Sequence, residues 1–274
     1  MIVEPAPAKI NLALHVRRRR ADGYHELETL FAFARDGDTI TVVPAAEDDF
    51  IITGPFAAAL QPAPDNLVLR ARDAFRATFG GGAVAITLDK HLPIASGIGG
   101  GSADAAATLR ALARLAETAS DDPRLFAIAA ALGADVPACL DGRTTLGTGR
   151  GEALVAVAGL AGTPLLLVNP GVAVSTAAVF ARWDGIDRGP LAVGADLLAA
   201  AHAGRNDLEP PATALAPVIA EVRALLDRAE GGTLARMSGS GATCFALFES
   251  ETARDAAAEA ARGRGWWALA TTLD

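Results

Sequence analysis

The stretch Leu92-Pro93-Ile94-Ala95-Ser96-Gly97-Ile98-Gly99-Gly100-Gly101-Ser102-Ala103-Asp104 does most to limit what this chain can fold into. Residues 83–88 upstream are alternating and β-branched and read as a strand, while the alanine-rich segment 105–115 downstream reads as a helix. That order sets the free amides of the glycines beside the exposed donors of a helix N-terminus, a cradle for an anion such as phosphate. The loop is not a Walker A motif, because no Gly-Lys-Ser/Thr closes it. It also fails the dinucleotide fingerprint, since Ser102 stands where the third glycine of G-x-G-x-x-G falls when counted from Gly97. A phosphate loop of a third kind is the expectation. A flexible connector would have no use for Ser102 and Asp104 as capping residues.

With 274 residues, 51% hydrophobic and 20% charged, the chain can bury a real core as one large domain or two modest ones. No apolar run is long and charge-free enough to span a bilayer. Met1-Ile2-Val3-Glu4-Pro5 lacks the pattern of a signal peptide, so a cytoplasmic location with no membrane partner is expected. Cys139 and Cys244 read as small buried hydrophobes. A net charge of −8 argues against nucleic acid as a partner, and the run Arg17-Arg18-Arg19-Arg20 reads as a solvated turn. Among 24 basic residues only Lys9 and Lys90 are lysines. Such a bias suggests lysine is kept where a compact ammonium matters. Tyr24 is the lone tyrosine.

Residues 8–16 alternate as a strand, with Lys9 and Asn11 on one face. A turn at Ala21-Asp22-Gly23 leads into an apolar run through Phe33, and 39–43 and 50–53 read as two further strands. Segment 66–77 is helical, with Asp65 as its expected N-cap. A helix over 123–132 is stopped by Gly133, and a boundary falls near the glycine-rich 146–151. The second half reads as a strand at 164–168 and helices starting at Ser175-Thr176 and covering 192–203 and 212–228. Strands at 234–237 and 243–248 follow, then a helix at 252–262 and a closing strand at 266–272. Strands precede helices in the first half, which suits α+β layers better than a doubly wound sheet.

Phosphoryl transfer needs phosphates held by donors, charge neutralised by a cation, and an aligned acceptor hydroxyl. Residues 97–102 supply the cradle, Asp135 is a candidate for the hydroxyl proton, and Lys9 for stabilising the developing charge. Each also has a plainer reading. Asp135 with Pro137 can simply start a helix, Lys9 can be solvated, Gly239-Ser240-Gly241 can be a hairpin turn, and Tyr24-His25 can be a core pair. Their co-occurrence favours chemistry.

Pro7-Ala8-Lys9-Ile10-Asn11-Leu12, residues 92–106 and residues 236–245 resemble the three motifs of the GHMP small-molecule kinases. Arg19-Arg20-Ala21-Asp22-Gly23-Tyr24-His25-Glu26-Leu27, residues 132–137, 170–180 and Asn206-Asp207-Leu208-Glu209 resemble the branch of that family with a cytidine substrate. The resemblance covers nearly the whole chain. It implies an α+β, two-domain GHMP kinase fold, with an N-terminal ribosomal-protein-S5-like domain over 1–155, a C-terminal ferredoxin-like domain over 156–274, and an active cleft between them. It implies ATP and Mg2+ as cofactors, with no metal ligand assigned in the chain. The implied reaction phosphorylates the 2-hydroxyl of a cytidine-diphosphate methylerythritol in non-mevalonate isoprenoid synthesis; the oligomeric state, monomer or weak dimer, is not read from the sequence. On that analogy Asp135 is the base and Lys9 its partner. Pro93, Ala95, Gly97, Ile98, Gly99, Gly100, Gly101, Ser102 and Ala103 hold the triphosphate, with Asn66 and Lys90 near the adenosine. Asn11 and Thr176 contact the substrate, Tyr24 and Phe180 sandwich its cytosine, and His25 meets the base edge.

Two positions depart from the family pattern. Ala103 stands where a second serine is frequent, and Ala138 where an aromatic residue often follows Asp-Val-Pro. Kinases or decarboxylases of mevalonate intermediates share the loop but lack the Tyr24-His25 block. A binding protein without turnover would not need both Lys9 and Asp135, and a dinucleotide oxidoreductase is disfavoured by the failed fingerprint.

Overall fold

The computed structural model describes residues 1–60 and 65–274, which form two compact units. Both units draw on strands β1 (Ile2–Arg19) and β2 (His25–Pro44).

The first unit comprises Met1–Ala8, Asp36–Ile94 and Gly99–Gly142. It adds β3 (Asp49–Thr53), α1 (Leu67–Phe79), β4 (Val84–Asp89), α2 (Gly100–Leu115), α3 (Pro123–Leu132) and α4 (Val136–Asp141). Strand β3 runs parallel to β4, from Asp49 opposite Ala85 to Thr53 opposite Asp89, and α1 is their crossover. The end of β2 pairs antiparallel on the other side of β4, from Thr39 opposite Asp89 to Pro44 opposite Val84. This single crossover on a mixed sheet is not a doubly wound fold. Val84, Ile86 and Leu88 alternate inward, as a half-buried strand requires. Helix α2 is buried along most of its length, and its alanines let it pack closely on α1 and α4.

The apolar run through Phe33 and the strand expected over 39–43 are one strand, β2, which runs through Asp36-Gly37-Asp38. A Cβ on Gly37 would lie 2.1 Å from the Ala6 carbonyl oxygen. The glycine is there for a close backbone approach, not for a turn. Likewise the cap of α1 is Asn66 and not Asp65: its side chain accepts from the Val68 amide at 2.9 Å.

The second unit comprises Lys9–Arg35, Ala95–Ile98 and Arg143–Asp274. Here β1 and β2 form a hairpin closed by the Arg20 amide on the Tyr24 carbonyl. Strand β2 pairs with β5 (Thr145–Gly149), and β5 with β6 (Ala153–Ala156). The remaining elements are β7 (Pro164–Asn169), α5 (Thr176–Ala181), α6 (Leu197–Ala203), α7 (Glu209–Leu215), α8 (Val218–Asp227), β8 (Gly232–Met237), β9 (Cys244–Phe248), α9 (Glu251–Arg262) and β10 (Trp267–Thr272). The four strands form an antiparallel sheet in the order β10-β7-β9-β8. Helices α8 and α9 cover it over a core including Leu166, Val168, Val222, Ala246 and Phe248. The helix expected over 212–228 is two helices, because Pro217 cannot continue the first. The units interleave along the chain.

Candidate active site

In the second unit, Lys9 and Asn11 share a face of β1. Lys9 is 2% exposed. Its ammonium donates to Asn11 Oδ1 at 3.0 Å and lies 5.3 Å from the centre of the Phe31 ring. Asn11 Nδ2 donates to Thr29 Oγ1 at 2.8 Å, and that hydroxyl donates to the Ala13 carbonyl at 2.7 Å. The relay fixes the Asn11 amide orientation and aims its oxygen at the ammonium.

The loop at 95–98 is held against the β8–β9 connection through its own backbone carbonyls. Thr243 N donates to Ser96 O at 3.0 Å, and Ser238 Oγ donates to Gly97 O at 3.0 Å. The Lys9 amide donates to Ile98 O at 2.9 Å. Ile98 is fully buried, so its side chain pegs the loop. Gly97 has φ +78°, and a Cβ there would lie 2.6 Å from both the Ser238 and Gly241 carbonyl oxygens. Ala95 also has a left-handed backbone and is exposed. Thr176 Oγ1 lies 2.8 Å from Ser240 Oγ.

An aromatic group lies in the same unit. The His25 ring stacks on Phe180 with centroids 4.8 Å apart and planes at 30°. Trp183 meets His25 edge-on at 5.6 Å. Burial, and then the Arg19 guanidinium, lower the His25 pKa below that of an ordinary imidazole. A neutral ring offers one donor and one acceptor, as reading a base edge demands. Tyr24 is 53% exposed, with the Arg150 guanidinium 5.0 Å from its ring centre. The structure therefore brings Phe180 onto His25, while Tyr24 carries Arg150.

In the first unit, α2 starts at Gly99 with φ +66° and no side-chain cap. Helix geometry leaves the first-turn amides of Gly100, Gly101 and Ser102 without an intrahelical acceptor, where the dipole favours an anion. Ser102 is half-buried on this turn, and Ala103 is buried with its amide committed to Gly99 O. Pro93 is buried where the loop begins. Asn66 spends its side-chain oxygen on α1. The Lys90 ammonium is buried between Asp38 and Asp104, so its charge is turned inward. Asp135 occupies the N-cap position of α4 in helical conformation, and its side chain makes no capping bond there.

The family model for the GHMP kinases N terminal domain matches residues 66–143, and that for the GHMP kinases C terminal region matches 186–265. The chain belongs to the GHMP kinase family. This GHMP kinase is 60% identical to the 4-diphosphocytidyl-2-C-methyl-D-erythritol kinase of Rhizorhabdus wittichii, over 98% of its own length and 94% of the relative's. It is 54% identical to the enzyme of that name from Sphingopyxis alaskensis, covering 97% and 96%. A crystal structure of a 4-(cytidine 5'-diphospho)-2C-methyl-D-erythritol kinase superposes with a TM-score of 0.84 at 40% identity, over 99% of both chains. Homoserine kinase from Cytophaga hutchinsonii shares the fold at a TM-score of 0.72 and 18% identity, over 99% and 94%. The GHMP kinase carries the expected two-domain fold of mixed helices and sheets and is a small-molecule kinase that uses ATP.

Sequence reasoning passed over several residues that build this GHMP kinase site. Thr29 orients Asn11. Asn206 Nδ2 donates to the Met237 and Gly239 carbonyls, at 2.7 and 2.8 Å, and so shapes the β8–β9 loop. Arg236, buried, donates to the carbonyls of Leu12, Ala201 and Gly204 and ties β1 to the end of α6. Asn206 and Arg236 lay inside quoted motifs, so their position was visible. Thr29 had no signal beyond a polar residue in an apolar strand.

Proposed function

We propose that this kinase transfers the γ-phosphoryl group of ATP to the 2-hydroxyl of 4-diphosphocytidyl-2-C-methyl-D-erythritol, giving the 2-phosphate and ADP in the non-mevalonate route to isoprenoid precursors. Full-length identity of 60% with a relative of that name carries the reading. The neutral His25 stacked on Phe180 supports a cytosine site. The two family domains would be 1–155 and 156–274, and the setting the cytoplasm.

The triphosphate is received by backbone amides of 97–102, where glycines let the backbone come close to a ligand. In the transfer, the substrate oxygen bonds to the γ-phosphorus as the bond to the bridging oxygen of ADP breaks. Asp135 takes the hydroxyl proton on its carboxylate. Lys9, held by Asn11, stabilises charge at the attacking oxygen. Asn11 and Thr176 orient the alcohol, which matters for a hindered tertiary hydroxyl. His25 reads the cytosine edge, and Tyr24 and Phe180 supply stacking faces.

Among the described residues no cluster of three or more His, Cys, Asp or Glu side chains could hold a metal ion. Mg2+ is commonly bound by one or two carboxylates together with substrate phosphates, without an all-protein cage. Ser102, on the first turn of α2, is the hydroxyl that would face it. When bound, Mg2+ neutralises triphosphate charge.

The test is ADP release with magnesium-ATP, comparing the cytidine compound with mevalonate, phosphomevalonate, galactose and homoserine. Turnover confined to the cytidine compound is expected. Turnover on another alcohol alone would overturn the cytidine site and keep the kinase.

A further inference from the structure

The Lys90 ammonium donates to Asp38 Oδ2 at 2.5 Å and to Asp104 Oδ2 at 2.6 Å. All three side chains are at most 3% exposed. Asp38 is anchored in turn, its Oδ1 accepting the amides of His91 and Leu92 at 2.6 and 2.8 Å. Asp104 lies on α2, one turn beyond the glycines. A Cβ on Gly100 would lie 3.1 Å from the ammonium and 3.7 Å from Asp38 Oδ2. The charge thus sits directly behind the first residue of the helix.

This arrangement is costly as a stabilising device. A buried ion pair repays desolvation only when its remaining hydrogen-bonding capacity is met. Here Asp104 Oδ1 is buried with no hydrogen-bond partner among the described residues. The local chain also resists helix formation. Gly100 and Gly101 each disfavour it by about 1 kcal/mol relative to alanine and have no side chains to pack. Contacts from outside must hold the first turn, and the Lys90 bridge joins it to Asp38 of β2 and, through Asp38, to the start of the loop at His91-Leu92.

We propose that Lys90 is a positioning residue for phosphoryl transfer: by bridging Asp38 and Asp104 it fixes the first turn of α2, and with it the amides of Gly99 to Ser102 that receive the triphosphate. This rests on the ATP-dependent reading above. Lys90 does not touch the nucleotide; it acts through the backbone it holds. Asp38 and Asp104 belong to the same device.

The experiment compares wild type with Lys90→Met and Lys90→Met/Asp104→Asn. The double variant removes a buried carboxylate charge together with the ammonium and guards against failure to fold, which thermal melting monitors. Hydrogen–deuterium exchange of a peptide spanning 99–104 reads the loop without turnover. Exchange there is expected to rise roughly tenfold or more, with the Asn66-capped start of α1 unchanged. The KM for ATP is expected to rise about tenfold or more, as for a misplaced but intact binding group, while the KM for the alcohol stays within about threefold. Unaltered exchange in the folded double variant would overturn the proposal. If the KM for ATP rose with unaltered exchange, Lys90 would instead be a direct ligand. If wild type failed to turn over ATP at all, the functional reading would fall while the exchange result still judged the tie.

Discussion

His25 and Phe180 stack at 4.8 Å, so each ring restrains the other before any ligand arrives. Phe180 therefore both presents a face and holds the imidazole that would read the base. An aromatic pair contributes about 0.5–1.5 kcal/mol beyond area burial, up to roughly tenfold in affinity. Phe180→Ala is expected to raise the KM for the cytidine alcohol about tenfold and leave that for ATP unchanged. Steady-state kinetics varying each substrate checks this, and equal losses for both would remove Phe180 from base recognition.

Asp135→Asn keeps the size of the side chain and removes its basicity. If Asp135 accepts the hydroxyl proton, kcat should fall about 10²- to 10⁴-fold with ATP affinity by calorimetry nearly intact. A variant turning over at close to the wild-type rate would leave the aspartate as no more than the residue that precedes α4.

The strand, glycine loop and helix were legible because their signals are local: β-branched alternation, glycines, then alanines. Helix α3 matched its expected bounds, with Pro123 at its start and Gly133 after it. Other features depend on partners distant in sequence. The polar residues 35–38 interrupt the apolar pattern, and only the Ala6 backbone placed against Gly37 shows that the strand continues. Asp38, beside that glycine, has its carboxylate buried against Lys90, 52 positions away, a contact that no local signal announces. Lys90 stood out by rarity, and composition alone gave no direction for its charge. Asp65 and Asn66 are both capable caps, and only backbone geometry chooses.

Gly97→Ala should destabilise the protein by about 2 kcal/mol or more, since a left-handed residue must also be fitted against two carbonyl oxygens. Gly82→Ala is the control, because nothing lies within 4 Å of its added methyl. Urea unfolding of the two variants should separate them clearly. Equal midpoints would show that the 95–98 loop yields at little cost.

Burial pushes the Asp104 carboxyl up to about 7, with Lys90 opposing and Asp38 adding to the rise. The unfolded chain releases this proton near pH 4. The native state holds it to a higher pH, so the contribution to stability is complete below about 4 and is lost as pH rises through about 7. Relative to Asp104→Asn, wild type should lose stability across that window in urea titrations at a series of pH values. A difference that stays flat from pH 4 to 7 would contradict the raised value.

The contact of Gly97 with the carbonyls of Ser238 and Gly241 is main chain against main chain. No side chain there can be trimmed to make room for a change on the opposite loop. An inhibitor bonded to backbone amides of this loop would hold on to atoms that no substitution other than proline removes.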